Sequence, residues 1–273
     1  MKYILSMYDG AGRKKMKYVQ IIKENRVAVV SINHEPANAL SSNVLKDIST
    51  MLDHILEDNE IRAVILHGEG RFFSAGADIK EFVELAKSDG VFSQLAESGQ
   101  QLFERIENFP IPIIAAIHGA ALGGGLELAM SCHLRLVAED AKLGLPELQL
   151  GIIPGFGGTQ RLPKYIGTGR ALEMMLTSEP ISGQEAVKLG LASHAYPQEK
   201  LLAEAKGLAQ KFAAKSPGSV RAVISLLHSH KTLTYQEGMN LEAKLFGELF
   251  KSGDAREGIS AFIEKRKPNF KGN

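Results

Sequence analysis

The sequence predicts an α/β protein with a helical C-terminal region, and three observations carry that prediction. Short β-rich runs recur at 27–33 (VAVVSIN), 63–68 (AVILHG), 111–119 (IPIIAAIHG) and 133–138 (HLRLVA). Segments of helical period lie between several of them, the alternation expected of an α/β core. Beyond about residue 200 the strand-like runs stop, and helical patterns fill most of 200–265.

The elements follow in order along the chain. Residues 1–15 (MKYILSMYDGAGRKK) are polar and glycine-containing, and are expected to form a loose leader. A strand-like pattern begins near Met16, so the core is expected over 16–200 and the helical region over 201–273. The stretch SSNVLKDISTMLDHILED sets Val44, Leu45, Ile48, Met51, Leu52 and Ile55 on one helical face, with Ser41 or Ser42 as N-cap. SGQE at 182–185 and TYQE at 234–237 have the form of capping boxes. Within KSPGS (215–219), Pro217 and Gly218 are expected to mark a turn. The spacing is irregular and shows no repeat of fixed period.

Composition bounds the function. The 273 residues include 32 basic and 31 acidic side chains, so no net field favours nucleic acid or an anionic membrane. No apolar run approaches the ~20 residues that cross a bilayer. The first residues do not have the order of a signal peptide. A single cysteine, Cys132, provides no intrachain disulfide framework and fits a reducing compartment. A cytoplasmic protein is the expectation.

Several chemistries lose ground for want of their motifs. GFGGTQ and GTGRAL lack the last glycine of a dinucleotide fingerprint, and there is no phosphate-binding P-loop. The eight histidines show no metal spacing. FFSAGAD is not a nucleophile elbow, because Phe72 occupies the first glycine position. Cys132 and His133 are adjacent and expected to be buried, not a catalytic pair. Neither a metal nor a cofactor is expected.

What remains is a pair of loops richer in small residues than turns require. SAGAD (74–78) precedes IKEFVELA, and HGAALGGG (118–125) precedes LELAM. Small residues where a strand meets a helix permit close backbone approach and leave N–H groups free at the helix start. Such groups stabilise negative charge. One loop of this kind is usually a tight turn; two in one domain suggest donors converging on a developing anion. Glu127, in the first turn after the glycines, and Glu147, in a turn behind Pro146, are carboxyls in apolar settings with room for a tuned pKa.

These stretches, with FSAGADIKEF, IPIIAAIHGAALGGGLELAM, LGLPELQLGIIPGFGGTQRL and the closing REGISAFIEKRKPNF, resemble an enoyl-CoA hydratase of the crotonase superfamily from about residue 17 to the C-terminus. The resemblance implies a spiral of ββα turns with a helical C-terminal trimerisation region, and trimers that pair into hexamers. It implies an acyl-CoA substrate, with coenzyme A as part of that substrate and no separate cofactor. The oxyanion hole would be the backbone N–H groups of Ala77 and Gly124. Glu127 and Glu147 would hold the attacking water, Glu127 as base and Glu147 as acid. Gly155 would lie near the added hydroxyl. The substrate would also pass Ala37, Arg71, Ala75, Asp78, Ile79 and Lys80, with Phe262 and Lys265 approaching the nucleotide from a neighbouring subunit. Residues 82–105 are expected to line the acyl pocket.

The implied reaction is addition of water to a 2-trans-enoyl-CoA, as in fatty-acid β-oxidation. INHEPANALSS (32–42) is one residue shorter than the usual form, which bears on the contact at Ala37. The closest rival is a Δ3,Δ2-enoyl-CoA isomerase, which needs one base at the Glu147 position; both carboxyls being present favours the hydratase. A non-catalytic RNA-binding relative is the other alternative, and the segment 84–100 lacks the basic run it would need.

Overall fold

The computed structural model describes residues 3–4, 16–81, 83 and 92–273. Seven strands make the main sheet in the order β1 (Tyr3–Ile4), β2 (Val19–Glu24), β3 (Val27–Ile32), β4 (Ala63–Gly68), β5 (Ile113–Ile117), β7 (Leu134–Ala138) and β10 (His194–Tyr196). The first three pair antiparallel and the rest parallel. Every residue of β3 and of β5 is buried, the near-continuous apolar run expected of parallel strands covered on both faces. Apart from Tyr3–Ile4, which pairs with Ile22 and Lys23, the expected leader lies outside the described residues.

A smaller sheet of β6 (Ala120–Leu122), β8 (Lys142–Gly144) and β9 (Ile181–Ser182) stands beside the first. Two successive turns of chain, β5–β6 and β7–β8, add a strand to each sheet before the next helix, the ββα pattern of the implied spiral.

Helix α1 (Ser42–Glu57) forms where its apolar period predicts. Its six predicted face residues are all buried, and Ser41, the N-cap, accepts a hydrogen bond from Val44 N. Further along come α2 (Phe92–Glu107), α3 (Gly124–Ser131), a 3₁₀ turn (Glu147–Leu150), α4 (Gly158–Ile166), α5 (Thr168–Thr177) and α6 (Gly183–Lys188). Helix α7 (Gln198–Ala213) lies across β3, β4, β5 and β7, burying Leu201, Ala205, Ala209 and Ala213. Helices α8 (Pro217–Ser229), α9 (Tyr235–Phe250) and α10 (Gly253–Ile263) complete the chain.

Two local expectations change. Pro217 and Gly218 are the first two residues of α8, not a turn. Proline suits that first position because its missing N–H would have no intrahelical partner there. SGQE provides only the Ser182 half of a capping box, bonding Glu185 N, whereas TYQE makes both halves through Thr234 and Glu237.

Candidate active site

The first site loop follows β4. Its residues 74–77 run between two single bridges, Ser74 to Ala121 and Leu40 to Ala77. Ser74 Oγ fastens the loop by donating to the Asn38 carbonyl at 2.8 Å. Gly76 has φ +104°, and a side-chain carbon there would stand 2.8 Å from the Leu122 carbonyl oxygen. Glycine is therefore required twice over, by conformation and by space.

The second loop follows β5 and reaches the start of α3, where each glycine of Gly123-Gly124-Gly125 has its own reason. Gly123 has φ +51° and turns the chain into the helix. Gly124 lies under the Phe156 ring, and a Cβ on it would be 3.4 Å from Ala77 N. On Gly125 a Cβ would stand 2.4 Å from the Ser74 carbonyl oxygen, so the helix start rests directly on the first loop. The amides of Ala77 and Gly124 are consequently neighbours. Neither N–H finds an acceptor among the described residues. Both residues line a cavity of about 370 Å³.

The two carboxyls also line that cavity. Glu127, on the first turn of α3, is 1 % exposed, deeper than its sequence setting suggests. Its Oε1 accepts from Phe156 N at 2.9 Å and from Gly158 N at 2.7 Å, at the start of α4. Burial pushes the carboxyl up to about 7, and the charge of Glu147 adds to this against the opposing pull of Gly158, Phe156 and Arg161. Glu147 heads the 3₁₀ turn behind Pro146, and burial raises its pKa too. Its Oε2 is shielded and accepts no hydrogen bond from the described residues. Its Oε1 stands 3.0 Å from where a Gly123 Cβ would be, beside the paired amides. Two carboxyls held above their ordinary range by burial thus share one cavity with two free N–H donors.

The other residues named from the sequence divide into two groups. Ala75, Ile79 and Gly155 line the cavity; from the 82–105 segment Leu95 and Ala96 do so, while residues 82 and 84–91 lie outside the described ones. Ala37, Arg71, Asp78 and Lys80 do not line it. Ala37 instead braces the first loop, its carbonyl accepting from Ala75 N at 2.9 Å. Arg71 is exposed, its guanidinium over the Phe72 ring, and Asp78 caps Lys80 N. Phe262, 85 % exposed, and Lys265 lie at the far end of α10 and do not line this chain's cavity. The Cys132 thiol is buried and pushed up to about 12, so it stays unreactive.

Three residues of the site escape a reading of motifs. Phe156 forms part of the cavity wall, held edge-on to Phe103 with ring centres 5.3 Å apart. Its amide and that of Gly158 orient Glu127, a role hinted at only by the glycines of GIIPGFGGTQ. Arg161 and Glu107, which sit behind that loop, carry no sequence signal of their own.

Fold and site thus set two unbonded backbone amides beside two buried carboxyls of raised pKa on one cavity. Comparison with known proteins agrees. Residues 22–273 match the model of the enoyl-CoA hydratase/isomerase family. A probable enoyl-CoA hydratase of Bacillus subtilis is 60 % identical over 258 residues, covering 94 % of this chain and all of the relative. A short-chain-enoyl-CoA hydratase of Clostridium acetobutylicum is 39 % identical, covering 93 % of this chain and 97 % of the relative. Among solved structures, enoyl-CoA hydratase from Bacillus anthracis superposes with a TM-score of 0.89 at 38 % identity, over 94 % of this chain and all of that one. The chain belongs to the enoyl-CoA hydratase/isomerase family.

Proposed function

We propose that the protein adds water reversibly across the double bond of a 2-trans-enoyl-CoA to give the 3-hydroxyacyl-CoA. The observation that carries this reading is the paired arrangement of Glu127 and Glu147 on one cavity with the unbonded amides of Ala77 and Gly124. The thioester carbonyl would accept from both amides. As water attacks C3, the negative charge develops on that oxygen, and each preorganised donor contributes about 3 kcal/mol to its stabilisation. Glu127 takes a proton from the water, and a pKa of about 7 suits a base working near neutrality. Glu147, raised by burial, delivers the proton to C2. Water, the two carboxyls and the substrate account for every proton, so the reaction needs no cofactor.

Crotonyl-CoA should be hydrated by the purified protein, with loss of the conjugated thioester absorbance. Turnover of a 3-enoyl-CoA without hydration of crotonyl-CoA would instead favour the isomerase. The same assay on enoyl-CoAs of rising chain length defines the acyl preference.

We infer that the working unit is a trimer or a dimer of trimers. Helix α9 buries none of its residues within the chain, although it carries Met239, Phe246 and Phe250. Exposed Ile259, Phe262 and Ile263 extend the apolar surface along α10. A patch of this kind calls for a partner, and a second and third copy would bring Phe262 and Lys265 toward a neighbour's nucleotide. Sedimentation should give a trimer or hexamer at micromolar concentration; a stable monomer would refute the assembly. A cytoplasmic setting accords with the single, buried Cys132 and with the absence, among the described residues, of any helix long and apolar enough to span a membrane.

A further inference from the structure

Behind the site lies a buried ionic cluster that the reaction scheme leaves unused. Glu107, near the end of α2, presents one carboxylate oxygen to two cations. Arg161 of α4 donates to it from Nε at 3.1 Å and from Nη2 at 3.0 Å. Lys231, just after α8, reaches the same oxygen at 2.7 Å. Glu107 and Arg161 are each only 8 % exposed. Burial works to raise the Glu107 carboxyl, but Lys231 and Arg161 outweigh it and hold it below the ordinary value. The third nitrogen of Arg161 points elsewhere: Nη1 donates to the Phe156 carbonyl at 2.8 Å.

Phe156 is therefore gripped from both sides. Its N–H is given to Glu127 and its C=O is taken by Arg161. Between Phe156 and Gly158 the chain passes through Gly157 at φ +99°, a residue free to rotate unless its neighbours are fixed. Both N–H groups that orient Glu127 flank this pivot.

We infer that Glu107, Arg161 and Lys231 form a strut that positions the 156–158 loop, and through it the Glu127 carboxylate, for the hydration reaction. They are positioning residues, since none lines the cavity. Lys231 makes the C-terminal helical region a party to the geometry of the site. The inference rests on Glu127 acting as the base.

Glu107→Gln separates this idea from a purely electrostatic one. Other charges facing the cluster are few: Glu104 lies 3.8 Å from Arg161 and 3.7 Å from Lys231. His133 and His228 adjoin it with ring centres 5.9 Å apart, and burial lowers both, His133 to about 4. With Glu107 neutral, the unbalanced charge of Arg161 acting through space would lower the pKa of Glu127. The acid limb of kcat/KM would then move to lower pH. A released loop does the opposite: the carboxylate loses donors that favour its charged form, and the limb moves up.

The expected result is a limb shifted upward, with kcat reduced about 10- to 100-fold, as for a misplacement of order 1 Å. KM for crotonyl-CoA should change little, and kcat should stay below the wild-type value measured at the same pH throughout the plateau above the limb. Lys231→Met, at a side chain 19 % exposed, repeats the test where Glu107→Gln does not fold, and Lys231→Arg should restore the rate. A wild-type kcat, or a limb moved downward, in Glu107→Gln overturns the strut if Glu127→Gln is inactive in the same assay. When Glu107→Gln does not fold, a wild-type kcat in Lys231→Met overturns it under the same condition. Wild-type hydration by Glu127→Gln overturns both the strut and the assignment of the base.

Discussion

Replacing Glu127 or Glu147 by Gln is expected to depress crotonyl-CoA hydration about 10²-fold or more, the usual range for loss of an acid–base group. Acyl-CoA binding should survive, because the proposed oxyanion donors are backbone groups at Ala77 and Gly124. In Glu127→Gln the amide oxygen can still accept from Phe156 N and Gly158 N, so the loop keeps its anchor and only the proton acceptor is lost. If both carboxyls act on one water, the double variant should be much less than multiplicatively worse than either single one. An isomerase predicts another pattern, in which Glu127→Gln spares turnover of a 3-enoyl-CoA and Glu147→Gln abolishes it. Rates of hydration and isomerisation for both single variants decide between them, and wild-type hydration in Glu127→Gln would sink the mechanism.

The second large effect is expected at Gly125. A methyl group there would meet the Ser74 carbonyl oxygen at 2.4 Å and the Ser74 Cβ at 2.9 Å, both within a buried contact. Neither is the far end of a flexible side chain, so α3 and the 74–77 loop must move apart. Overpacking of this kind destabilises by about 1–3 kcal/mol. The movement would also separate the amides of Ala77 and Gly124, so activity should fall further than stability explains. Gly207→Ala serves as the contrast: it lies inside α7 with nothing within 4 Å of its Cβ, and should stabilise by about 0.5–1 kcal/mol. Melting temperature and kcat measured on both variants test the contact. An unchanged melting temperature together with wild-type activity in Gly125→Ala would refute it.

Local patterns make much of this molecule legible in its sequence. The α1 period identifies the buried face residue by residue because an amphipathic helix records its surroundings in its own sequence. The loops around Ala77 and Gly124 are readable for a related reason, since positive φ and close backbone contact both demand small residues. The β6–β8–β9 sheet is not readable in this way. Its strands are only two or three residues long, and pairing partners such as Lys142 and Ser182 are distant in sequence. Nor is the Glu107–Arg161 pair, which spans 54 positions and obeys no period. Pro217 misleads because the same residue ends one element or begins another, and only its neighbours decide.

The donors and the carboxyls come from successive coils of the chain: 74–77 after β4, 123–127 after β5 and 147–158 after β7. These three strands are side-by-side parallel neighbours, about 4.8 Å apart, so successive coils of the chain leave the sheet beside one another. The pairing of the Ala77 and Gly124 amides is thus set by neighbouring coils and by the glycines that let them touch. Substitutions that respect this contact leave the pairing intact. If the amides act as proposed, one scaffold could host reactions that share an enolate and differ in where protons are taken and given. Such a division of labour would suit a family whose name joins hydratase and isomerase.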